Sequence, residues 1–266
     1  MSACACVRVA TRVVKTLSGF DVVVGLTSLG EELFVLHKRA DKQVEVYSTK
    51  TFTPLRKLSI SGLHVIRFND IISCERLHCL HISDFMNSCI HRTKPSGAVI
   101  AKWPLSDAPL GLSLTPANHI LVTCTGSHKL LELCSESGEC IREVKLQSDV
   151  QYLLHAIQLP SRHYLLSHTD FSELYRVSVV DVDGQVSPRH GFDVAQLNGL
   201  HHVTTDQYDF LFIGDYKERR VVVLRPSLEL VRHIDLQQEP FTLHLDHATR
   251  CLYVGLESGD VTVIQV

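Results

Sequence analysis

Histidine is the side chain best suited to acid–base work near neutral pH. This chain carries 16 of them in 266 residues. Five, His64, His155, His201, His202 and His244, fall in segments that read as the innermost strands of repeated units. Imidazoles there would share one channel. His155, His202 and His244 could converge in it as acid–base groups or metal ligands of a hydrolase or lyase. No HxxxH-like spacing marks a local metal site, and strand alternation sends half of such side chains into packing. The sequence has no Gly-rich phosphate loop and no GxSxG elbow, and Ser178 and Ser187 have no triad partners in it. Cys4 and Cys6 are too close for a structural zinc pair, and Cys74 and Cys79 too far apart for a CxxC pair. The nine cysteines read as reduced thiols of a cytoplasmic protein, and no metal or cofactor is expected.

The elements that would position these residues recur six times. The copies are Glu32-Leu-Phe-Val-Leu-His37, Cys79-Leu-His-Ile-Ser-Asp84, His119-Ile-Leu-Val-Thr-Cys124, His163-Tyr-Leu-Leu-Ser-His168, Phe210-Leu-Phe-Ile-Gly-Asp215 and Cys251-Leu-Tyr-Val-Gly-Leu256. From Leu33 through Leu80, Ile120, Tyr164 and Leu211 to Leu252 the steps are 47, 40, 44, 47 and 41 residues. Short strands repeating at roughly 40–50 residues predict an all-β, six-bladed β-propeller of four-stranded antiparallel blades. The blades span approximately 19–62, 63–108, 109–150, 151–198, 199–240 and 241–266, forming one domain. The last repeat runs out after 26 residues, and residues 1–18, with Val7, Val9 and Val13 in alternation, supply its missing strand. The N-terminal strand should therefore close the ring and leave no open edge between first and last blades.

The composition is that of a soluble globular protein, 45% hydrophobic and 21% charged. A net charge of −3 argues against strong attraction to nucleic acid or anionic membranes. No apolar run is long enough to span a membrane, and the first residues lack a signal-peptide pattern.

Blade five carries a resemblance to a known family. Val203-Thr-Thr-Asp206, Leu211-Phe-Ile-Gly-Asp215 and Arg220-Val-Val-Val-Leu224 resemble the NHL repeat. Blade two matches in part, through Asp84 and Asn87, with Cys89-Ile90 where the family has Arg-Val. The resemblance implies that Asp215 and Arg220 lock a tight loop by a charge-assisted hydrogen bond. It also implies recognition of a protein, a peptide or single-stranded RNA on the loop face. Peptidyl-amidoglycolate lyases resemble NHL propellers and use zinc at the channel. Larger NHL proteins add RING, B-box and coiled-coil parts; none occurs in this sequence, so no ligase activity is expected of it.

Loops between second and third strands share one face of a propeller. On that face Arg39, Lys42, Phe85, Phe171, Tyr216, Lys217 and Arg219 offer cations for acidic groups and aromatic anchors. Asp41, Asp170, Glu218, Glu257 and Asp260 dilute the positive charge. The reading that follows is a non-enzymatic scaffold binding a protein or peptide partner, with no membrane association. An enzyme with a channel site and a single-stranded RNA binder are the alternatives. Trp103 reads as an outer-strand packing residue.

Overall fold

The computed structural model describes residues 11–38, 44–64, 69–148, 150–169, 175–186 and 197–266. Strand β1 (Arg12–Leu17) precedes blade one, β2 (Val23–Leu29), β3 (Glu32–His37), β4 (Val44–Ser48) and β5 (Pro54–Leu58). Blade two is β6 (Ile71–Cys74), β7 (Cys79–Asp84), β8 (Cys89–Thr93) and β9 (Val99–Pro104). Blade three is β10 (Pro109–Leu114), β11 (Ile120–Cys124), β12 (Lys129–Leu133) and β13 (Cys140–Lys145). Blade four shows three strands among the described residues, β14 (Gln151–Gln158), β15 (Tyr164–Thr169) and β16 (Tyr175–Val180). Blade five is β17 (Leu200–Thr205), β18 (Leu211–Asp215), β19 (Arg220–Leu224) and β20 (Leu230–Asp235). Blade six is β21 (Pro240–Asp246), β22 (Cys251–Leu256) and β23 (Val261–Gln265), completed by β1. The molecule is a six-bladed β-propeller. No helix among the described residues is long and apolar enough to cross a membrane.

Alternation explains why so many strands are apolar on both faces. Leu33 and Val35 of β3 pack toward blade six, with Tyr253 and Val263. Phe34 and Leu36 of the same strand pack toward blade two, with Leu80 and Ile82. Each strand thus feeds two wedges, as expected of sheets covered on both sides. Among the described residues the buried apolar side chains form six such clusters, each shared by adjacent blades. Trp103 on outer strand β9 joins the wedge between blades two and three. A Cβ on Gly138, whose φ is +75, would lie 2.2 Å from its ring, so only glycine fits that turn.

β1 pairs with β23 from Arg12↔Gln265 to Leu17↔Val261. Leu17, 5% exposed, plugs the wedge between blades six and one. Removing residues 1–18 should cost roughly 3–5 kcal/mol, from a handful of ladder hydrogen bonds and one buried leucine. That lowers the melting temperature of a chain this size by roughly 10 °C. A thermal melt of the truncated chain checks this, and an unchanged midpoint would deny closure any energetic role.

The first strands neighbour one another around the ring, β2 beside β6, then β10, β14, β17, β21 and β2 again. Five of them carry a register irregularity near the end where they enter from the preceding blade. Bulges of this kind re-aim side chains, and here they do so at the loop-face mouth of the channel. The strand suggested around His64 is not found at that residue: β6 begins at Ile71, and His64 is exposed.

Candidate functional site

One carboxylate gathers four blades at that mouth. Asp70 lies just ahead of β6 and is 4% exposed. Its N–H donates to Ser83 Oγ at 2.7 Å, which fixes its backbone. Its Oδ2 accepts the Leu112 N–H of blade three at 2.8 Å. The same oxygen lies 3.5 Å from His155 Nε2 of blade four and 3.4 Å from His202 Nε2 of blade five. These last distances are long for hydrogen bonds, so the attraction is largely electrostatic. The two imidazole centroids are 3.8 Å apart.

Tautomers follow from the partners. His155 Nε2 faces Leu112 O at 2.9 Å, and a carbonyl only accepts, so the proton is on Nε2. His202 Nε2 faces a carboxylate oxygen, which assigns its proton the same way. Both Nδ1 atoms are buried and have no hydrogen-bond partner among the described residues. Each ring therefore holds an uncommitted lone pair beside an oriented N–H.

The electrostatics are consistent with this arrangement. Burial alone would raise the Asp70 carboxyl, but His202 and His155 outweigh it and hold it below the ordinary carboxylate range. Burial pushes His202 down, and neighbouring His155 pushes it further, against the pull of Asp70. His202 is thus held in its neutral form. Gly111 makes the packing possible: a Cβ there would meet His155 Cδ2 at 2.6 Å and Leu154 O at 2.7 Å.

His244 belongs to a second layer of the channel. Its Nε2 accepts the Ser28 N–H at 3.0 Å, with Ser28 Oγ at 2.8 Å, so its proton sits on Nδ1. Burial pushes it down to about 4. Thr27, Ser73 and Ser28 continue this layer through Oγ1–Oγ at 3.1 Å and Ser73 Oγ to Ser28 O at 2.6 Å. Of the three channel histidines singled out in the sequence, His155 and His202 meet, and His244 is hydrogen-bonded apart from them.

On the loop face, Arg39, Lys42 and Phe171 lie outside the described residues. Phe85 and Tyr216 are half-buried, and Tyr216 packs against the cluster that holds Val24 and Phe241. Arg219 Nε donates to Glu239 Oε1 at 2.8 Å. Arg220 Nε donates to Asp215 Oδ2 at 2.8 Å, while Asp215 Oδ1 takes the Asn198 N–H at 2.8 Å. Burial nevertheless pushes the Asp215 carboxyl up. Lys217 is exposed. Tyr152, at the loop-face end of β14, is 62% exposed with φ +38, a conformation a non-glycine residue adopts only when its surroundings hold it there.

Asp70 is the residue that sequence reasoning misses, because it precedes its strand instead of lying in it. Ser178 does have a partner, His168 Nε2 at 2.9 Å, whose Nδ1 faces Thr169 O at 2.8 Å. Among the described residues, two groups place three metal-ligating atoms within 4.8 Å of one another: Asp70, His155 and His202, and Asp84, Cys89 and His91.

No protein-family model and no curated protein matches the chain. Solved structures do. A catalytically inactive variant of virginiamycin B lyase from Staphylococcus aureus, with one histidine changed to alanine and quinupristin present, is similar at a TM-score of 0.67. The identity is 10%, over 96% of this chain and 99% of that one. A streptogramin B lyase is similar at 0.66, again with 10% identity, over 96% and 97%. At that identity the likeness shows the fold, a six-bladed β-propeller, and the fold alone.

Proposed function

We propose that the protein is an acid–base enzyme, a lyase or hydrolase, whose site is the loop-face mouth of the channel. The observation that carries this reading is the Asp70–His155–His202 group, with two buried Nδ1 lone pairs and oriented Nε2 protons. His202, 14% exposed and held neutral, is the base. Asp70 positions it, and His155 is the second imidazole within proton-transfer reach. Two propellers of the same fold are lyases, and one is inactivated by loss of a single histidine. The same three residues offer the oxygen and nitrogen donors of a divalent cation site.

Turnover of a panel of lactones, esters and substrates with acidic C–H bonds, quinupristin first, tests the reading. His202→Ala should reduce kcat/KM roughly 10²–10⁴-fold with its circular dichroism unchanged. An active His202→Ala protein, or a panel wholly untouched, would refute it.

A second reading is the recognition scaffold of NHL type on the same face. Lys217, held out into solvent beside the Asp215–Arg220 lock, favours it. RNA binding draws less support, since Arg219 and Arg220 are already matched by Glu239 and Asp215.

A further inference from the structure

Blade two repeats the loop corner of blade five with one part exchanged. An aspartate ends the second strand in each, Asp84 and Asp215, and both are 0% exposed. In blade five the register partner of Asp215 is Arg220, whose guanidinium meets the carboxylate. In blade two the partner of Asp84 is Cys89, a thiol that brings no fixed positive charge. The imidazole of His91, two residues on, places Nε2 3.0 Å from Asp84 Oδ2 and 3.5 Å from Cys89 Sγ. His91 is 1% exposed and Cys89 0%, so Asp84 sits in a closed site, its oxygens meeting the Asn87 N–H, Asn87 Nδ2 and His91 Nε2.

The three donor atoms, hydrogen-bonded to one another as they stand, also lie close to the spacing of metal ligands. Zinc binds nitrogen at about 2.0–2.1 Å, carboxylate oxygen at about 2.0–2.2 Å and thiolate at about 2.3 Å in a tetrahedron. That geometry separates N from O by about 3.3 Å and N from S by about 3.6 Å. The observed 3.0 and 3.5 Å lie within a few tenths of an ångström of those values. Charge is also matched: a dication with one carboxylate, one thiolate and a neutral imidazole is neutral overall. The carboxylate is itself supported, since Asn87 donates its N–H to Oδ1 at 3.1 Å and its Nδ2–H to Oδ2 at 2.8 Å.

We infer that Asp84, Cys89 and His91 form a zinc site that braces the loop-face corner of blade two. Thiolate with imidazole selects zinc over magnesium or calcium. On binding, the Cys89 thiol releases its proton, the His91 proton moves to Nδ1, and Nε2 becomes the ligand.

Cobalt titration of the chelator-stripped full chain tests this. Cobalt bound at this corner should give a thiolate-to-cobalt charge-transfer absorption that zinc abolishes. Cys89→Ser should remove the absorption, and Asn87→Ala should weaken cobalt affinity roughly 10–100-fold. His91→Gln serves in place of Cys89→Ser if that variant fails to fold. Absence of the absorption, or its survival in both ligand variants, overturns the site. The channel group has no thiolate, so His202→Ala leaves this signal intact, and the two sites stand or fall separately.

Discussion

Lowering the pH from about 6.5 to about 4 is expected to remove several kcal/mol of stability, through histidines rather than carboxylates. Burial holds both His81 and His244 near 4 in the folded chain, against 6.5 for a free imidazole. The His81 Nε2–H is committed to Ser135 O at 3.0 Å, and His244 Nε2 to the Ser28 N–H at 3.0 Å, so neither site welcomes a second proton. Between the two values the unfolded chain binds more protons than the folded one, and stability therefore falls as pH falls. Each imidazole contributes up to about 3 kcal/mol over that window. His202, also depressed, acts in the same direction. Asp70 acts elsewhere: its folded value lies below that of a free carboxyl, so its contribution is present above about pH 4 and is lost only in stronger acid. Urea unfolding at several pH values reads the slope. His244→Gln keeps an acceptor for Ser28 and removes one titration, so its stability should decline less steeply. An equal slope in that variant would assign the acid sensitivity to other groups.

The ring was legible because its energetics are written at short range. Leu33 and Val35 face one wedge and Phe34 and Leu36 the next, so the pattern of a single strand already implies neighbours on both sides. The period then places His155 and His202 on first strands. What separates them from His244 is not local. The Ser28 N–H that occupies His244 lies 216 residues away in sequence, and only closure brings them together. Asp70 is harder still, since it stands outside the strand pattern and its Leu112 partner is 42 residues on. His64, assigned from sequence to a first strand, is exposed and precedes β6. Cys89 and His91 read as an ordinary buried strand. Only the pairing of Asp84 with Cys89 brings the three donor types to one point.

Replacing Asp70 by alanine should be among the most damaging single changes in the chain, at about 3–5 kcal/mol. The substitution leaves the Leu112 N–H without its acceptor at 2.8 Å. It also strips two imidazoles, buried His155 and partly exposed His202, of the carboxylate that orients them. Blades two, three, four and five lose their common point at once, while the apolar wedges between them remain. Asp70→Asn separates the two contributions. Its side-chain oxygen can still accept from Leu112, so it should cost only about 1–2 kcal/mol, the difference between a charged and a neutral acceptor. It removes the anion that holds the His202 N–H, so its effect on the chemistry should exceed its effect on the fold. Urea midpoints order the three proteins as wild type, Asn, Ala. In Asp70→Asn, turnover should fall at least tenfold while the midpoint shifts little. If Asp70→Ala unfolds at the wild-type midpoint, the carboxylate ties nothing together. If Asp70→Asn keeps full activity, His202 needs no anion behind it, and the channel mouth is a structural knot rather than a catalytic one.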